Sequence, residues 1–197
     1  MGFSQKGMFL SRNMKDTLVV LEIRKDRKYG SKDGIRFTIN VGISVSALHR
    51  DDVAFGDASG EKIPTPEMCH WRQRLGHITQ AHRDVWWIVN DDDAANAVCE
   101  EIFDSFVREA FPKIESAASV EALLQMWQEG RGPGLPEYLR RLELARLLFL
   151  TGRLDEARIA VQALEDASIG KAWGVSARVD VKAMRARIDT LNAPTRG

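Results

Sequence analysis

Along IRFTINVGISV, residues 35–45, the apolar side chains Ile35, Phe37, Ile39, Val41, Ile43 and Val45 alternate with Arg36, Thr38, Asn40, Gly42 and Ser44. That period of two belongs to a strand with one buried face. The earlier run TLVVLEIRK, 17–25, is β-branched and apolar, with Val19, Leu21 and Ile23 on one side, and KYGSKDG between the two supplies hairpin glycines. With KGMFLSRN at 6–13, the pattern predicts a three-stranded antiparallel meander. Its apolar face needs a cover, because a small isolated sheet is marginal in water.

From Asn90 the period becomes helical. In NDDDAANAVCEEIFDSFVREAF, Val98, Ile102, Phe106 and Ala110 form a stripe that can lie on the sheet, Asn90 or Asp91 can cap the start, and Pro112 should end or kink the helix. SVEALLQMWQEG reads as a short helix capped by Ser119. The Gly/Pro cluster GRGPGLP follows, and everything beyond it is helical: two helices around a turn at Thr151-Gly152, then a third presenting Trp173, Ala177, Val181, Met184, Ile188 and Leu191 on one face. The fold class is therefore α+β, an antiparallel meander covered by helices and followed by an α-helical extension. The predicted division is an α+β domain at 1–130, a boundary at 131–136 and about three helices at 137–197. HRDDVAFGDASGEKIPTPEM, 49–68, reads as a long connector, with a contact or lid role as the alternative.

Composition fits a folded soluble chain: 44% of residues are hydrophobic and 28% charged. Basic and acidic side chains balance at 28 each, so no global field recruits nucleic acid or an anionic membrane. The balance is uneven, with 14 basic and 10 acidic residues in 1–90 against 14 and 18 thereafter. Cys69 and Cys99 form neither a disulfide framework nor a zinc cluster, and no run is long and apolar enough for a membrane span or signal peptide. These features predict a cytoplasmic location.

GFSQKGMFLSR, FTINVGI, HWRQRLG and WW resemble, in order and spacing over 1–128, the bacterial domain of unknown function 4304 family. The resemblance implies a small α+β fold with an antiparallel sheet and brings no activity with it. Family members usually carry a helix ahead of the Gly-Phe element. Here Gly2-Phe3 follows Met1 directly, so either the sequence starts after that helix or the helix is absent, and the part of the sheet's cover it would supply is left open. ELARLLFLTGRLDEARIAVQALEDA is similar to a single tetratricopeptide-type hairpin, with Gly152 at the turn and Leu154 and Ala157 where helices approach. Arrays of that type need about three units, so one copy implies a hairpin docked on the chain or on a second copy of it.

The densest candidate chemistry lies in CHWRQRLGHITQAHRDVWWIV, 69–89. Read as a strand, it puts His70, Arg72 and Arg74 on one face and Trp71 and Leu75 on the other. Two arginines spaced two apart present parallel forks suited to a carboxylate or phosphate, and Arg36, Thr38 and Asn40 of the neighbouring strand would broaden the patch. These six residues form the candidate anion or partner surface. The alternative is the ordinary wet face of an antiparallel sheet.

His70, His77, His82 and Cys69 fit no standard zinc spacing, and Asp91-Asp92-Asp93 is explained by helix capping, so no metal is assigned. Trp86-Trp87 could offer a stacking platform, although neighbours on a strand point opposite ways and one of the pair belongs in the core. RKDRKYGSK could hold phosphates or form a solvated hairpin that discourages edge pairing. No nucleophile elbow, dinucleotide fingerprint or phosphate loop occurs, so no catalytic residue and no cofactor is assigned.

The expectation is a non-enzymatic binding or adaptor protein whose partner is another protein, in a specific version an immunity- or antitoxin-like protein that covers a toxin's site with the sheet face or the 49–68 segment. The alternative is a phosphate-, nucleotide- or RNA-binding protein, or an enzyme, that uses His70, Arg72 and Arg74. Nucleic acid is the less favoured ligand, a membrane is not expected, and the C-terminal helices could support self-association.

Overall fold

In the computed structural model, which describes residues 2–28, 34–54, 63–79 and 82–192, the alternating run becomes the central strand β4, Ile35–Val45. It pairs antiparallel with β3, Thr17–Lys25, and β3 pairs with β2, Phe9–Asn13. A turn at Gly7-Met8 then adds β1, Ser4–Lys6, at the edge. On its other side β4 carries β5, Trp71–Arg74, and β6, Trp87–Val89, which gives a six-stranded antiparallel sheet. The expected meander is its core, and the two short strands come from the stretch rich in Trp, Arg and His.

One sheet face carries Val19, Leu21, Val41, Ile43 and Val45, all buried. A continuous helical run lies against the sheet: α3, Asp92–Ser105, which meets it at β6 and leaves Val98 and Ile102 of the expected stripe only half-buried, a π turn at Phe106–Ala110, and α4, Phe111–Ala117, with Ala110, Ile114 and Ala117 buried. Asp91 caps α3, its side chain accepting from the Ala94 amide at 2.7 Å. Pro112 does not end the helix as expected. It sits in the first turn of α4, where a missing N–H does little harm because the π turn has already reset the hydrogen-bond ladder. Thr17 Oγ1 donates to the Ala118 carbonyl at 2.9 Å, the Arg12 guanidinium lies 5.1 Å from the Phe111 ring centre, and Trp87 Nε1 donates to Glu101 at 3.1 Å. Phe3 sits edge-on to Phe106 and Phe111, so the first residues of the chain also reach this layer.

The chain divides into two compact units, Met1–Ser46 with Ser59–Ala122 and Ala47–Ala58 with Leu123–Gly197. The division falls ahead of the Gly/Pro cluster, which lies inside the second unit. That unit also takes in a segment expected to be part of a connector. Residues Ser46–Ala54 form helix α1, with Leu48 and Asp51 buried, while 55–62 of the same expected connector lie outside the described residues.

The second unit's other helices are α5, Val120–Gln128, which straddles the division, then α6, Glu137–Leu150, α7, Leu154–Ser168, and α8, Gly174–Asn192. Ser119 caps α5, its hydroxyl accepting from the Ala122 amide at 3.1 Å. Gly152, at φ +77°, makes the turn between α6 and α7. Ala157, Ala160, Val161 and Leu164 of α7 are buried, as are Ala177, Val181, Met184 and Ile188 of α8. Leu191 departs from the expected stripe and is 61% exposed.

Asp51 on α1 accepts from Arg146 of α6 at 2.8 Å and from Arg187 of α8 at 2.7 Å, while Arg146 also meets Glu143 at 3.0 Å. Burial alone would raise the Asp51 pKa. The hydrogen bonds from Arg187 and Arg146 outweigh it and hold the carboxyl below its usual range. No helix among the described residues is long and apolar enough to cross a membrane.

Candidate functional site

The polar face of the sheet is organised in rows. Glu22, Asn40 and Arg74 are register partners on β3, β4 and β5, and Val20, Gly42 and Arg72 form the next row. Asn40 Nδ2 donates to Glu22 at 2.9 Å. The centre of this face is roofed. A Cβ on Gly42 would stand 2.5 Å from Cys69 Sγ and 3.0 Å from Pro66 Cα, so glycine there lets the short 3-10 turn Pro66–Met68 and Cys69 settle onto the strand. Burial pushes the Cys69 thiol up to about 12, which leaves it protonated and inert.

Beside that roof Arg24, Asn40, Pro66, Glu67, Arg72 and Arg74 line an open cavity of about 230 Å³. Glu67 organises two of the cations: its carboxylate pairs with Arg24 and its carbonyl accepts from Arg72. A larger groove of about 1010 Å³, lined by Met8, Phe9, residues 22–28, Glu67 and Trp86, shares Arg24 and Glu67 with it.

The last part of the site comes from the segment before β6. Arg83 and Val85 run close against Gly76 of the short helix α2, Leu75–Ile78, where a Cβ would meet the Arg83 carbonyl at 2.4 Å. Thr38 Oγ1 donates to the Val85 carbonyl at 2.8 Å and ties the segment to β4. Two guanidiniums lie over the Trp86 ring, Arg36 at 4.9 Å and Arg74 at 5.1 Å from its centre. Asp84 accepts from both Trp86 Nε1, at 3.1 Å, and Arg74. Desolvation works against the Asp84 charge, but these hydrogen bonds prevail and keep its carboxyl below the ordinary range.

Of the six residues expected on this surface, Arg72, Arg74 and Asn40 meet around the cavity, and Arg36 shares the Trp86 ring with Arg74. Two expectations need correction. His70 is 5% exposed and precedes β5; its Nδ1 accepts from the Val45 amide at 2.9 Å, which commits that nitrogen to holding the end of β4. The alternation starts at Trp71, one residue later than the sequence reading put it. Thr38 has the expected parity, but the 84–86 segment covers it and leaves it 1% exposed.

Sequence reasoning missed Arg24, Glu67 and Asp84. Arg24 was within reach, since it shares the parity of Glu22 on β3. Trp87 is buried and Trp86 half-buried, as adjacent strand positions require. His77 and His82 are exposed, apart from buried His70. Asp26 of RKDRKYGSK lies 3.5 Å from Arg36 of β4, while Tyr29 to Asp33 lie outside the described residues.

An antiparallel sheet with one face under helices and the other bearing paired arginines defines the α+β class. The model of the family described as a domain of unknown function (DUF4304) matches residues 1–116, and the chain belongs to that family. No curated protein and no solved structure matches the chain.

Proposed function

We propose that this chain is a cytoplasmic binding protein that engages another protein through the polar sheet face around Arg72, Arg74 and Trp86. The observation that carries this reading is the held indole: Trp86 is half-buried, with Arg36 and Arg74 over its ring and its Nε1 donating to Asp84. Trp and Arg dominate the binding energy of protein interfaces, and side chains ordered in advance lose less entropy on docking.

The charges favour a protein over a polyanion. Arg24, Arg36 and Arg74 each face a carboxylate, Glu67, Asp26 and Asp84 respectively. Nucleic-acid binding draws its affinity from uncompensated cations that displace phosphate counterions, and these cations are compensated. A protein surface with its own mosaic of charges can exchange pairs with this one and gain selectivity. An immunity- or antitoxin-like role, with this face laid over a toxin's site, is the specific form of the proposal.

The test is a parallel capture from lysate of cells that make the protein, with wild type and Arg72→Ala/Arg74→Ala as baits and with bound protein and nucleic acid quantified separately. The expected result is a stoichiometric protein partner with wild type and its loss with the variant, at unchanged circular dichroism. RNA or DNA retained by wild type alone would overturn the reading in favour of a nucleic-acid ligand.

A further inference from the structure

Within the second unit, a cavity of about 370 Å³ opens between the end of α5 and the helices α6 and α7. That size falls in the range of small-molecule pockets. One side is apolar, formed by Leu144, Leu148, Ile159, Ala160 and Ala163, and Ile159 is 70% exposed for want of a neighbour. Trp127 and Arg140 line the other end.

Both of these residues have unused hydrogen-bonding capacity. Trp127 is fully buried, yet its Nε1 has no acceptor among the described residues. That nitrogen exposes almost no surface, so the indole is a wall of the cavity. Arg140 Nη1 donates to the Trp127 carbonyl at 2.9 Å, which keeps the guanidinium beside the indole. Among the described residues no carboxylate makes an ion pair with Arg140: Glu137, which acts on it at longer range, is engaged by Arg141, also on the lining, at 3.0 Å. The remaining charge on the lining, Glu156, pairs with Arg153.

We infer that this cavity binds a small amphipathic monocarboxylate, its carboxylate taken by Arg140 beside the Trp127 indole and its apolar body laid along Leu144, Leu148 and Ile159. One cation without an ion pair suits a single negative charge. A phosphate, with nearly two charges, would exceed that complement and meet Glu156 as well.

Indole N–H signals from ¹⁵N-labelled full-length protein test the inference, with Trp127→Phe assigning one of the five tryptophan signals. Sodium octanoate in the millimolar range should move the Trp127 signal and leave the others in place, while octanol and inorganic phosphate should move none. Arg140→Gln should weaken octanoate binding about tenfold, with the remaining indole signals reporting an intact fold. A Trp127 signal unmoved by octanoate would overturn the inference. So would a shift that octanol reproduces or that Arg140→Gln leaves at full affinity.

Discussion

The Arg74 guanidinium stands 5.1 Å from the centre of the Trp86 ring, and one Asp84 carboxylate oxygen holds both side chains. The Arg36 guanidinium lies over the same ring at 4.9 Å. Twelve positions of chain separate Arg74 from Trp86, so the stack pins the segment before β6 onto the sheet and builds the proposed interface in the same step.

Trp86→Ala removes two partly exposed cation–π contacts, each worth about 0.5–1 kcal/mol, and should lower the unfolding free energy by about 1–2 kcal/mol. Urea denaturation followed by circular dichroism measures this. A change within error would show that the stack does not stabilise the fold.

Asp51→Ala leaves Arg146 and Arg187 without their shared acceptor in a largely buried setting, and should cost about 3 kcal/mol. The same carboxylate sets a pH dependence. Its folded pKa lies below its ordinary value of 3.8, so its stabilisation is complete above 3.8 and is lost as pH falls through the lower folded value. Thermal melts of wild type and Asp51→Asn should therefore differ most near neutral pH and converge below 3.8. A gap that persists undiminished in acid would contradict the assignment.

The strands were legible because a buried sheet face writes a period of two directly into the chain, as Ile39, Val41, Ile43 and Val45 do. α1 was not, because HRDDVA carries no apolar stripe; one contact that anchors it, from Asp51 to Arg146 and Arg187, spans residues 51 to 187. The candidate surface was half legible for the same reason. Parity placed Arg72, Arg74 and Asn40 together, but covering Thr38 and holding Trp86 depend on how 84–86 returns to β4, and local pattern does not encode that path. His70 was misplaced because the chain bends into β5 only at Trp71, and parity counted across a bend assigns the wrong face.

Cys69 is buried under Pro66 and protonated, whereas Cys99 is exposed on α3. A disulfide thiol reagent at mildly alkaline pH should titrate one thiol in the native chain and both in denaturant. Two fast-reacting native thiols would show that the roof over Gly42 opens readily.

Gly42→Ala drives a methyl into Cys69 and the Pro66 backbone, and should cost about 1–3 kcal/mol through overpacking. The roof carries Glu67, the partner of Arg24 and Arg72, so the variant should also weaken partner capture. Wild-type stability together with wild-type capture would contradict the close packing described for this face.

The central claim is that the polar sheet face is where a protein partner docks, and hydrogen–deuterium exchange on the free chain and on the captured complex tests it most directly. The account predicts slowed exchange in the complex at 63–74 and 82–89, with α6 to α8 unchanged. Protection confined to residues 137–192 would contradict it, as would the failure of wild type to hold any protein partner.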